Sequence, residues 1–388
     1  MLNGQSDSLK KVIYVGYWGV SIVSILFLLL FTFLNPEYFS SVIRNAMITF
    51  LFANLFFKLL FASFLLMEDI YRLGNWLVVL ISNPSPSGKG DVISRSKFLS
   101  AVGFTVATIP FVSMVYGVLV GAHDYRVRKI KIALKNLPDS FNGFKILQLS
   151  DIHSGSFVDI SLVEKGIQMA INQKPDVVFF TGDLVNNVAT EVDAYKKLFS
   201  QLKAPMGVYS VLGNHDYGDY VQWPSIEAKS NNLLQLIASH KEMGWDILMN
   251  EHRILQKGED KIAVLGIENW GAKGNFPKYG KMKSAVKGLE NVPVKLLLSH
   301  DPSHWDAQVI PEYSDVDVMF AGHTHGFQFG IEVAGIKWSP VKYMYKQWAG
   351  LYQKGSQYLY VNRGFGYLGF PGRIGMPPEI TVVELVKA

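Results

Sequence analysis

Cysteine is absent from the 388 residues of this chain. No disulfide framework and no thiolate metal site can therefore form, and any bound metal must take oxygen and imidazole ligands. Such ligands suit manganese, iron, zinc or magnesium-like ions rather than copper(I) or an iron–sulfur cluster. Charge is scarce as well. Only 18% of residues are Asp, Glu, Lys or Arg, and the net charge of +5 is too small to indicate nucleic-acid binding. Internal repeats and low-complexity tracts are missing. Apolar residues are abundant instead, at 49%. The mean hydropathy is +0.17, and the excess is concentrated before residue 121.

Residues 12–34 form an uncharged run of the length a bilayer-spanning helix needs. Its length sets it apart from a cleaved signal peptide and marks an anchor. Residues 46–67 form a second run, interrupted by Lys58, which reads first as a side chain that snorkels and second as an intramembrane ion partner. Residues 98–120 form a third, with Pro110 inside it. Residues 73–81 are too short to span and read as an interfacial or cytoplasmic extension of the second helix. Residues 83–90 read as a loop. Lys10 and Lys11 precede the first run, only Arg44 lies in the first connection, and Arg72, Lys89, Arg95 and Lys97 lie in the second. The positive-inside bias places the N-terminus and the second connection in the cytoplasm. Three spans then put everything after residue 121 on the outer side of the inner, or cytoplasmic, membrane.

Residues 123–388 show alternating strand and helix patterns, which predict an α/β layered domain behind a membrane anchor at 1–122. Five apolar runs read as buried strands, and each ends in a polar cluster. Residues 145–150 lead into Asp151 and His153, and 177–181 into Gly182-Asp183. Residues 208–212 lead into Gly213-Asn214-His215-Asp216, 294–298 into Ser299-His300, and 316–320 into Gly322-His323-Thr324-His325. Ligands of open α/β sheets bind outside the carboxyl ends of strands, so five distant clusters converge on one crevice. Asp151 and His153 are two apart, as are His323 and His325, so each pair points one way from an extended strand end. Asp183 offers a bridging carboxylate and Asn214 a neutral amide oxygen. His215 follows Asn214 directly and falls near a leaving group, with Asp216 placed to fix its tautomer. Two ions close together lower the pKa of a shared water and clamp phosphoryl oxygens.

In this order, the five clusters are similar to the motif set of the calcineurin-like metallophosphoesterases: D-x-H, G-D, G-N-H-[DE], a His after a strand, and G-H-x-H. The resemblance implies a four-layer α/β sandwich, two central β-sheets flanked by helices, behind an all-α membrane region of about three transmembrane helices. It also implies a dinuclear centre for two divalent metal ions (Mn, Fe or Zn). Asp151, His153, Asp183 and His325 then ligate one ion, and Asp183, Asn214, His300 and His323 the other. His215 is implied as general acid, with attack by a metal-bridged hydroxide. Residues 362–366, Arg373 and 378–380 resemble the tail of the membrane-anchored subgroup related to YkuE and YaeI. There, G-G-Q often follows the last His, where this chain has Gly326-Phe327-Gln328.

The expected activity is a membrane-anchored phosphodiesterase or pyrophosphatase working on a phosphoester at the membrane surface, with lipid-linked phosphoesters among the candidate substrates. If the domain is cytoplasmic, a pyrophosphatase for UDP-2,3-diacylglucosamine-type lipid A precursors is the alternative. A non-catalytic membrane scaffold is the alternative of another class. No protein partner is inferred. Arg363 is a candidate phosphate contact. The lysines from Lys273 to Lys287 either attract an anionic headgroup or form a solvated loop. Trp338, Lys342, Tyr343, Tyr345, Lys346 and Trp348 suit a membrane belt or loop packing. Phe365, Tyr367, Leu368 and Phe370 could hold an acyl chain or simply pack.

Overall fold

A computed structural model describes residues 6–34, 38–82, 92–274, 276–333 and 335–388. The loop expected at 83–90 lies outside the described residues. The chain divides into two compact units, Met1–Leu119 and Val120–Ala388.

The first unit consists of α1 (Asp7–Phe33), α2 (Ser41–Ser82) and α3 (Val92–Leu119). All three are long and apolar enough to cross a membrane. Ser6 caps α1 by accepting from the Leu9 amide at 3.4 Å. The apolar stretch 46–67 and the segment 73–81 lie in one unbroken α2. At about 1.5 Å per residue, its 42 residues reach twice the roughly 30 Å of a hydrocarbon core, so only part of it can lie there. Polar contacts join α1 to α2. Lys58 Nζ donates to Ser21 Oγ at 2.6 Å and lies 4.9 Å above the Tyr17 ring centroid, and Asn54 Nδ2 donates to Ser24 Oγ at 2.6 Å. The Lys58 ammonium is therefore directed at α1. Phe57 and Phe61 meet Phe104 of α3 edge-on.

The second unit holds two mixed six-stranded sheets. Its strands in chain order are β1 (Arg126–Leu134), β2 (Phe144–Leu149), β3 (Val177–Phe180), β4 (Val208–Ser210), β5 (Asp246–Ile247), β6 (Glu251–Lys257) and β7 (Asp260–Gly266). They continue as β8 (Lys295–Leu298), β9 (Val318–Ala321), β10 (Ile331–Val333), β11 (Ile336–Trp338), β12 (Gly350–Lys354), β13 (Gln357–Val361) and β14 (Glu379–Lys387). One sheet runs β1-β14-β2-β3-β4-β5 and the other β12-β13-β9-β8-β7-β6, while β10 and β11 form a separate hairpin. Strands β2 to β5 are mutually parallel, as are β13, β9, β8 and β7.

The helices are short except α4 (Ile160–Ile171) and α6 (Ile226–Glu242); the others are α5 (Lys196–Phe199), α7 (Met282–Ala285) and α8 (Ile310–Glu312). Asp159 caps α4 by accepting from the Ser161 amide. Three apolar clusters define the layers. Leu147, Val178 and Phe180 pack with Val163 and Ile167 of α4. Ile146, Val177 and Phe179 of the first sheet pack with Leu296, Leu298, Val318 and Phe320 of the second. Leu297 and Met319 pack with Met282, Trp305 and Val309 on the far side. The result is helix, sheet, sheet, helix. Central parallel strands are buried on both faces, which is why they read as continuous apolar runs.

Candidate metal centre

The carboxyl ends of β2, β3 and β4 in one sheet, and of β8 and β9 in the other, carry all seven metal-ligand candidates. The backbone there is bent hard. Asp151, His153, Asp183, His323 and His325 all have φ between 50° and 68°, and Phe327 and Gln328 follow at 62° and 55°. Non-glycine residues seldom adopt this left-handed region, and such strain concentrates where side chains must be aimed at a functional point. Gly182 makes the turn possible: its φ is +99°, and a Cβ there would lie 2.5 Å from the Gly213 amide and 2.8 Å from His300 Nδ1.

Two groups of ligand atoms result. Asp151, His153 and His325 form one, and Asp183, His300 and His323 the other. In the first, His153 Nε2 and His325 Nε2 face each other at 3.0 Å, and Asp151 Oδ1 lies 3.2 Å from His325 Nε2. In the second, Asp183 Oδ2 lies 3.1 Å from His300 Nε2, while His323 Nδ1 lies 2.8 Å from Asn214 Oδ1. Asp183 Oδ2 is also 3.6 Å from His153 Nε2, so this carboxylate touches both groups. His300 Nε2 is buried and near Asp183 yet has no aligned hydrogen bond. Converging, misaligned donor atoms of this kind fit a shared cation better than they fit one another.

Charge follows the same pattern. Burial opposes ionisation of Asp151 and Asp183, yet the facing imidazoles hold both carboxyls below the usual range: His325 for Asp151, His300 and His215 for Asp183. Burial pushes His153 well below its ordinary value and lowers His323 too. It also works against charge on His300, but the Asp183 carboxylate raises that imidazole to about 10. Without a cation, His300 therefore holds its proton at neutral pH beside an ionised Asp183, and a divalent cation would take that proton's place. Ionised carboxylates beside neutral imidazoles are the donor set a hard or borderline divalent ion requires.

The surroundings differ from the sequence expectation at several residues. His215 Nδ1 lies 2.8 Å from the Asn186 carbonyl, so Nδ1 carries the hydrogen and Nε2 is free. Its ring stacks on Tyr220 and meets His153 edge-on. Asp216 does not orient it. The Asp216 carboxylate accepts from the amides of Asp183, Leu184 and Gly213 at 2.8–2.9 Å and ties the Gly182 and Gly213 turns together. Arg363 is not a free phosphate ligand: it is buried, 2.5 Å from Glu379 and 3.0 Å from Glu332. Tyr345 and Trp348 are buried rather than set in a membrane belt, and Phe365 and Tyr367 pack in the core. His240, in α6, is fully buried.

Sequence reading missed Tyr345 and Asn186. Tyr345 Oη lies 2.9 Å from His323 Nε2 and 3.4 Å from Asp301 Oδ2. Asp301 stands directly after His300, the one local signal that a second carboxylate lay near. Asn186 acts through its carbonyl, which leaves no signal in side-chain identity.

Comparison with known proteins agrees with this geometry. The family model of calcineurin-like phosphoesterases matches residues 144–327, and that of a calcineurin-like phosphoesterase transmembrane domain matches 5–122. The chain is 31% identical over 257 residues to the uncharacterized metallophosphoesterase YkuE of Bacillus subtilis, covering 64% of this chain and 81% of that one. It is 29% identical over 296 residues to phosphodiesterase YaeI of Escherichia coli, covering 76% of this chain and 100% of that one. A zebrafish (Danio rerio) transmembrane protein with a metallophosphoesterase domain is 29% identical over 307 residues, which cover 77% of this chain and 65% of the zebrafish one.

Proposed function

Because this chain belongs to the calcineurin-like phosphoesterase family, and is an integral membrane metallophosphoesterase, we propose that it hydrolyses a phosphodiester or pyrophosphate at a membrane surface through two divalent ions. The observation that carries this reading is the meeting of two buried Asp/His groups through Asp183.

In this reading Asp151, His153, His325 and Asp183 hold one ion, and Asp183, Asn214, His300 and His323 hold the other. Such ions supply Lewis acidity to phosphoryl oxygens and lower the pKa of a bound water. The remaining chemistry belongs to the chain. Asp183 fixes the spacing of the two groups. His215 has Nδ1–H committed to the Asn186 carbonyl, so Nε2 is the atom that takes up a second proton and, from the imidazolium, hands it to the leaving oxygen. Its own backbone amide donates to Asp183 Oδ1 at 2.9 Å, which couples the acid to the bridging carboxylate.

The charge bias of the membrane segments supports a catalytic unit on the outer face, where lipid-linked phosphates and exported phosphodiesters are the available substrates. Two measurements test this. Purified full-length protein should carry about two divalent ions per chain by elemental analysis and cleave a generic phosphodiester. Asp183→Ala should lose metal and turnover, and His215→Ala should keep metal and lose turnover. Full activity in both variants would overturn the site. A reporter fused after Ala388 reads the side. A cytoplasmic signal would redirect the search to UDP-linked diacylglucosamine-type substrates.

A further inference from the structure

The β10–β11 hairpin is amphipathic in the inverted sense. Its register pairs Val333 with Ile336 and Ile331 with Trp338, so these four side chains share one face. Three of them are open to solvent, Ile331 at 54%, Val333 at 67% and Ile336 at 66%. The opposite face carries Glu332 and Lys337, and it is the face turned to the protein. Glu332 pairs with Arg128 Nη2 at 2.7 Å and with Arg363 at 3.0 Å, and Lys337 Nζ donates to the Ala349 carbonyl. Charged contacts hold this hairpin down, and its apolar face looks outward. In water that arrangement forgoes the burial of three large aliphatic side chains, the main favourable term in folding.

The apolar face continues toward the site. Phe329 meets Trp338 edge-on at 6.3 Å and is 42% exposed, and Phe327, two residues after His325, is 53% exposed. The flanks are basic. Lys342 lies over the exposed Tyr343 ring, and β1 supplies Arg128 against Glu332 and, on the same face, Arg126, itself paired with Asp124. The only carboxylate on the hairpin is neutralised by Arg128 and Arg363. Moreover, Arg126 follows Leu119, the last residue of the third apolar helix, by seven positions. Seven residues reach at most about 25 Å.

We propose that the apolar face of this hairpin, with Phe327 and Phe329, inserts into the interfacial layer of the bilayer that the chain spans, and so opens the metal centre toward phosphoesters of lipids. Apolar side chains backed by Lys and Arg are the composition that a lipid interface selects. The insertion goes beyond the hydrolytic reading and its test needs no turnover, while the access it gives the metal centre rests on that reading.

The chain has no cysteine, so one label site can be introduced cleanly. Full-length Ile336→Cys and, separately, Val333→Cys carry a polarity-sensitive fluorophore in nanodiscs of phosphatidylcholine and phosphatidylglycerol. Ile226→Cys, at the exposed start of α6, is the reference. With lipids brominated along the acyl chain, emission at 333 and 336 should fall about twofold, as expected for insertion by ~5–10 Å, and emission at 226 should not change. Both hairpin labels behaving like the label at 226 would overturn the proposal. So would protection without bromine quenching, which would indicate a second copy or another protein on this face. Both positions are exposed, so loss of folding in one variant leaves the other to decide.

Discussion

The Tyr345 hydroxyl bridges Nε2 of His323 and the Asp301 carboxylate, at 2.9 and 3.4 Å. A carboxylate accepts only, so Tyr345 donates to Asp301 and receives from His323 Nε2–H. That fixes the tautomer with Nδ1 free, on the side where Asn214 Oδ1 waits at 2.8 Å. Outer partners of ligating histidines typically contribute 10–100-fold in metal affinity. Tyr345→Phe should therefore weaken one of two metal-binding steps by about tenfold in calorimetric titration and leave the other unchanged. Equal weakening of both steps would point to general loosening instead.

Asp216 sits behind the site as a clamp on two turns. Its carboxylate satisfies the amides of Asp183, Leu184 and Gly213. Removing it leaves buried N–H groups unpaired, at about 1–3 kcal/mol each. Asp216→Ala should lower the melting temperature of the detergent-solubilised chain and its metal content together. A variant with unchanged melting and metal content, but an altered pH profile of turnover, would restore Asp216 to the role of orienting His215.

These two residues also mark where reading the sequence stops. The convergence of the candidate ligands was legible because apolar runs ended in Asp, His and Asn, and parallel strands of an α/β fold end on one side. Asp216 was misread because its partners are backbone amides, which have no letter of their own. Arg363 was misread because its partner Glu379 lies 16 residues on, at the start of a strand in the other sheet. Tyr345 stood among lysines and aromatics that suited a membrane belt, and only folding brings it to His323. The hairpin that does carry exposed apolar residues is too short for its alternation to stand out.

Arg363 belongs to a buried network. Glu379 is fully buried and also accepts from Tyr360 Oη and Thr381 Oγ1, at 2.5 and 2.6 Å. Breaking such a pair from one side strands a charge, at about 3–5 kcal/mol. Arg363→Met should show that loss in denaturant unfolding, with the KM for a generic phosphodiester unchanged in the folded fraction. Unchanged stability together with a KM raised about tenfold, some 1.4 kcal/mol of lost binding, would make Arg363 a substrate contact after all.

His240 sets part of the acid limit of stability. It is fully buried in α6, with Nδ1 2.9 Å from Ser210 Oγ, and burial lowers its pKa from 6.5 to about 3. Below pH 6.5 the unfolded chain takes up a proton that folded His240 does not accept until near pH 3. The unfolded state then binds more protons, so stability falls with pH across this window, by up to about 1.4 kcal/mol per pH unit for the one group. His240→Leu removes that proton from the balance. Losing the hydrogen bond to Ser210 shifts the level of its stability curve at every pH, whereas the slope between pH 6.5 and 3 should become shallower than in the parent chain. Parallel curves over that interval would show that His240 is charged in the fold.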